Sequence, residues 1–195
     1  MLKDKSGKVL SRSEGEAVMK GRAAVTVTVL AAILAIITLI ANSNSSRVTT
    51  ANIQANDIYA FYQAKSIKQS FYEFAADQLE QQNKADMGTT EQLALDKKIT
   101  YYKSVAAKYE SDPKTGEGKR ELLARARKLE AERDQARARG PWYSFSQALL
   151  QIAIVLSSSS ILAVSMALLW SSVGVGTLGI LLFVNGMWIH IPWPF

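Results

Sequence analysis

Hydrophobic positions follow two regimes along this chain. In three stretches they run on almost unbroken. Between the first and second of these they recur every three or four residues instead. The first unbroken run is residues 23–41, AAVTVTVLAAILAIITLIA. At about 1.5 Å of rise per residue it just spans a hydrocarbon core of about 30 Å. It exceeds the roughly 7–15 apolar residues of a cleaved signal peptide, so it reads as a signal anchor. The other two runs cover residues 142–170 and 173–190, parted by Ser171-Ser172. Each predicts a further membrane span.

The periodic region begins after a small polar segment, Ala41–Arg47. Ile53, Ala60, Ala64, Ile67, Phe71 and Phe74 fall on alternating steps of four and three once Asp57 is counted. That spacing is the seam of a coiled-coil-like helix. Tyr59, Phe61, Tyr62 and Tyr72 widen the apolar side, while Lys65, Lys68, Gln69 and Glu73 fall elsewhere and read singly as a solvated face. Neither proline nor glycine interrupts the stretch, which predicts one helix continuing from the first span. Asp86–Thr90 breaks it. Thr89 with Gln92 predicts a capping box that starts a second helix. There Leu95, Ile99, Tyr102, Ala106 and Tyr109 again step by four and three. Ser111–Gly118 is a loop rich in helix breakers. Lys119–Arg139 is a third, charged helix with a thin apolar side at Leu122, Ala126 and Leu129, ended by Gly140-Pro141. Striped helices joined by short turns pack as an antiparallel hairpin or bundle.

Charge changes the picture by its distribution. The chain has 195 residues and a formal net charge of +6, yet every Lys, Arg, Asp and Glu lies at or before Arg139. The basic N-terminal tail, residues 1–22, carries about three net positive charges. By the positive-inside rule that tail stays in the cytoplasm. The segment 42–140 is then external, which is the periplasm if the membrane is a bacterial inner membrane. The Arg-rich run Arg125–Arg139 pulls the other way, but long translocated segments largely escape the rule. A segment tethered outside a membrane is a poor nucleic-acid binder.

Candidate chemistry is sparse. With no cysteine, disulfides, thiolate catalysis and Cys-ligated metals are excluded. The lone His190 reads as an interfacial residue, and a single histidine argues against a Ser-His-Asp triad or a His-rich metal site. Asp112, Glu117, Glu130, Glu132 and Asp134 sit in loops or on the charged helix without convergent partners. No catalytic, cofactor-binding or metal-ligating residue is expected. The spans carry packing signals instead. Ser159, Ala163, Ala167 and Ser171 recur every four residues, and Gly176 pairs with Ser172 as small-xxx-small. Such residues let helix backbones approach in lipid. Trp142, Tyr143, Trp188 and Trp193 are expected at the lipid–water boundary. Asn185 is placed to hydrogen-bond across helices.

The block Ala60-Phe61-Tyr62-Gln63-Ala64-Lys65-Ser66-Ile67-Lys68-Gln69, followed by Tyr72-Glu73, resembles the signature of the domain of unknown function 4337 family. The layout resembles it too: a short tail, one span, a charged helical region ending in an Ala/Glu/Arg helix, then two spans. Where that family's last connection is often basic, this chain has Trp170-Ser171-Ser172-Val173. The resemblance implies bacterial membrane proteins and supplies no catalytic residues.

The expected molecule is an all-α membrane protein. It has three transmembrane helices, an extramembrane helical hairpin or bundle between the first and second, and a C-terminal tail at 191–195. The expected role is non-enzymatic. The protein contacts membrane lipid, and it self-associates or docks as an accessory subunit of a larger membrane complex. The alternative is a small oligomeric channel or transport accessory with the Ser157–Ser160 row facing a lumen.

Overall fold

A computed structural model describes residues 12–81 and 88–189. Among these, the structure is all-helical. Helix α1 is Arg12–Glu80, α2 is Thr89–Glu110, α3 is Lys119–Ala163 and α4 is Met166–Val184. A π-helical turn, Asn185–Ile189, closes the described chain. Three of the helices (α1, α3, and α4 with its π turn) are long and apolar enough to cross a membrane.

α1 is continuous over 69 residues. Once past Gly21 it meets no helix breaker, as the sequence predicts. The predicted 1–22 tail is helical from Arg12 onward, and two further boundaries move. Gly140-Pro141 does not end a helix: Pro141 lies inside α3. A proline there removes one hydrogen bond, and the apolar turns that follow carry the helix on. The second boundary is the break between the last two spans. It falls at Val164-Ser165, not at Ser171-Ser172. Val164 takes φ 48°, Ser165 caps α4, and the Ser165 N–H bonds the Ser160 carbonyl at 3.2 Å. The predicted span of 142–170 is longer than the roughly 20 residues a bilayer needs. A turn at 164 divides the apolar tail into two runs nearer that length, although no glycine or proline marks it.

The chain divides into two compact units, residues 1–47 with 135–195, and residues 48–134. In the first, Leu30 and Ile37 of α1 bury against Leu150 and Ala153 of α3. Val175, Ile180 and Phe183 of α4 pack onto that cluster. In the second, which lies inside the predicted 42–140 segment, α1 residues meet α2 and α3. Tyr72 pairs with Tyr102 at 5.7 Å and stacks on Tyr109 at 5.9 Å. Lys65 bonds Glu117 at 3.2 Å, and Arg133 reaches Asn52 at 3.4 Å. α2 starts at Thr89 as expected, but Gly88 is its cap. The Gly88 N–H donates to Glu91 at 3.4 Å, so the reciprocal residue is Glu91 and not Gln92.

Loop 111–118 is held from α3. Glu121 accepts from the Ser111 hydroxyl at 2.6 Å and from the Asp112 N–H at 3.3 Å. A side chain on Gly118 would collide with Glu121 and with the backbone at Ser111 and Asp112.

Candidate functional site

The distinctive surface of the 48–134 unit comes from the period of α1. Two rows run along this helix, each on alternating steps of four and three. One comprises Ala51, Ala55, Ile58, Tyr62, Lys65, Gln69, Tyr72 and Ala76, and every member is buried or half-buried. The other is the row read from the sequence: Ile53, Ala60, Ala64, Ile67, Phe71 and Phe74, with Asp57. Every member of it is exposed, and its four large side chains range from 54% at Ile53 to 72% at Ile67. The rows are offset by two residues, about 200° around a helix of 3.6 residues per turn, so they face opposite ways.

Polarity alone misassigns the inner row, because it holds Lys65 and Gln69. Neither lies on a solvated face. Lys65 is half-buried and paired to Glu117; Gln69 accepts from Lys119 at 2.9 Å. The Lys119 ammonium also sits 5.5 Å from the Tyr62 ring centroid, a cation–π distance. Polar groups pack here because their neighbours carry complementary ones. Tyr62 and Tyr72 belong to this inner face, while Phe61 stays exposed. In α2, Ile99 is buried and Leu95 and Tyr102 are half-buried.

Hydrogen bonds shift several titrations in this unit. Glu110 is lowered chiefly by its bond to Lys119, Asp112 by Thr115, and Glu121 by Ser111. Tyr59 is raised by desolvation and then by its bond to Glu130. Each acid has an ordinary partner, and no cluster of metal-ligating side chains occurs among the described residues.

In the other unit the small residues do make contact, though not as one row. The helix break places Ser159 and Ala163 on α3 and Ala167 and Ser171 on α4. Ser159 is half-buried and the other three are exposed. The close approach runs through Gly176, Gly179 and Gly186 instead. A Cβ on Gly176 would sit 2.8 Å from Leu30 Cδ2; one on Gly186 would sit 2.6 Å from Trp142 Cβ. Serines bind the helices across this seam. Ser172 donates to the Ala153 carbonyl at 2.7 Å and Ser157 to the Ala23 carbonyl at 3.2 Å. Ser158 and Ser160 bond back to carbonyls of their own helix. The Asn185 amide is buried with no partner among the described residues. Trp142 is half-buried, Tyr143 is buried beside Phe183 at 5.6 Å, and Trp188 is exposed. Trp193 and His190 lie outside the described residues.

The fold thus defines an all-helical protein with three helices able to cross a membrane. The chain belongs to the family described as domain of unknown function (DUF4337), whose model matches residues 19–189. No curated protein and no solved structure matches it.

Proposed function

We propose that this chain is a non-enzymatic integral membrane protein whose role is association: it self-associates or docks as an accessory subunit of a larger membrane complex. Residues 23–41, the apolar part of α3 and α4 cross a bacterial inner membrane. The N-terminus is cytoplasmic, and residues 42–140 form an antiparallel helical hairpin in the periplasm. The contacts of α1 with α2 and α3 support the hairpin: Tyr72 meets Tyr102 and Tyr109, while earlier α1 residues, Lys65 and Asn52, meet later ones, Glu117 and Arg133.

One observation carries the reading. Ile53, Ile67, Phe71 and Phe74 stay exposed on a helix whose opposite face is already occupied by its own chain. An exposed apolar row of that kind marks an interaction site. The test is native mass spectrometry of protein extracted gently from its own membrane. A multiple of 21.4 kDa, or a larger mass with other polypeptides, is expected. A bare monomer of 21.4 kDa overturns the reading.

A further inference from the structure

We propose that the exposed row of α1 is covered by the same row of a second copy, in a parallel, in-register, two-stranded coiled coil over Ile53–Phe74. This rests on the self-association arm of the reading above and names the partner and the register.

Four features point to a second copy. The first is the period. Steps of four and three give 3.5 residues per repeat, which keeps a row facing a helix of the same period along its length. The second is area. Ile53, Phe61, Ile67, Phe71 and Phe74 each stand more than half exposed. At roughly 100 Å2 each, two copies bury about 1,000 Å2, the threshold of a specific interface.

The third is the fit of large to small. Where the row narrows to Ala60 and Ala64, the flanking position is Phe61, also exposed. It borders the alanine layer and supplies the bulk that the seam lacks. The fourth is charge. In a parallel pair each flanking residue faces one five positions on in the partner. Asn56 then faces Phe61, Gln63 faces Lys68 and Ser70 faces Ala75, with no like charges opposed. Direction follows from the tether. Two copies inserted in one membrane in the same sense have span and row in the same order, so the rows run parallel.

One layer opposes the pairing. Asp57 stands on the row, so two copies bring two carboxylates together. A polar residue at one seam position fixes register at a cost in stability.

The absence of native cysteine gives a direct test on the full chain in its membrane. Single-cysteine variants Ile53→Cys, Ile67→Cys and Phe74→Cys, oxidised with copper–phenanthroline, are expected to form a species of twice 21.4 kDa. Exposed but off the row, Glu73→Cys is expected to cross-link about tenfold more slowly, since a disulfide needs Cβ atoms about 3.5–4.5 Å apart. Asp57→Asn, with no cysteine added, is expected to raise the dimer fraction in native mass spectra severalfold. Phe71→Asp with Phe74→Asp is expected to abolish the dimer. Equal cross-linking at Glu73 overturns the proposal, as does a dimer in native mass spectra with no cross-link at Ile53 or Phe74, the mark of an antiparallel pair. Companion polypeptides without any self-cross-link overturn it while leaving the docking reading intact. A monomer without companions removes both.

Discussion

Single residues decide how closely the apolar helices approach. Gly174 and Gly186 lie near opposite ends of one apolar run and look alike in sequence. A Cβ added at Gly174 meets nothing within 4 Å, whereas one at Gly186 lands 2.6 Å from the Trp142 Cβ, which cannot swing away. Gly174→Ala should therefore stabilise the protein by up to about 1 kcal/mol, through better helix propensity. Gly186→Ala should cost about 1–3 kcal/mol by overpacking. Unfolding in mild detergent, followed by circular dichroism, compares the two; equal shifts would mean that the helices do not touch at Gly186. The presence of close-packing residues was legible in the sequence, and Gly176 meets Leu30 as that reading implies. Their partners were not legible. The four-residue row Ser159–Ser171 presupposed one helix, and the turn at Val164, which no glycine or proline announces, cuts it.

At the scale of the element, α1 poses the sharper lesson. Periodicity located a row at Ile53–Phe74 but could not say which side of the helix its own chain would cover. The covered side includes Lys65 and Gln69, and hydropathy assigns such residues to water. Only their partners Glu117 and Lys119, some 50 residues on, reverse that assignment. Neighbouring aromatics give a test. Tyr72 touches Tyr102 and Tyr109, and each aromatic pair contributes about 0.5–1.5 kcal/mol beyond burial. Tyr72→Ala should lower the unfolding free energy of the 48–134 unit by at least about 1 kcal/mol. Phe74→Ala, two residues away and exposed, should change its unfolding by less than about 0.5 kcal/mol when measured on monomer at high detergent. The loop between α2 and α3 adds an acid dependence. Glu110, Asp112 and Glu121 all titrate below their ordinary values because hydrogen bonds favour the ionised form. Groups depressed in the folded state contribute stability above their unfolded pKa and lose it as pH falls through the folded one. Helical signal should therefore melt more readily between about pH 5 and pH 3. Glu121→Gln should flatten that profile, and an unchanged profile would show that the Ser111 bond does not hold the loop.

For the whole molecule, the three apolar helices were legible from composition alone, because neither residues 23–41 nor the stretch from Gly140 onward carries a charged side chain. Orientation is a separate question, and two basic segments compete for it. The N-terminal tail keeps its charges at the edge of the first span, with Lys20 and Arg22 both exposed. The Arg-rich start of α3 is partly neutralised by its own chain. Arg133 pairs with Asp134 at 2.9 Å and Arg120 with Glu110 at 3.3 Å. Long segments translocate largely regardless of their charge, whereas the basic residues beside the first span usually set its orientation, so the tail should prevail. The chain's lack of cysteine makes the expectation measurable. Lys97→Cys, at an exposed position of α2, should react with a membrane-impermeant maleimide in intact cells; Ala17→Cys should react only after lysis. The reverse pattern would put Arg137 and Arg139, the basic residues next to the second apolar run, near the inner leaflet. There each exposed basic residue gains about 1 kcal/mol from anionic lipid, and the 48–134 unit would meet its partners in the cytoplasm instead.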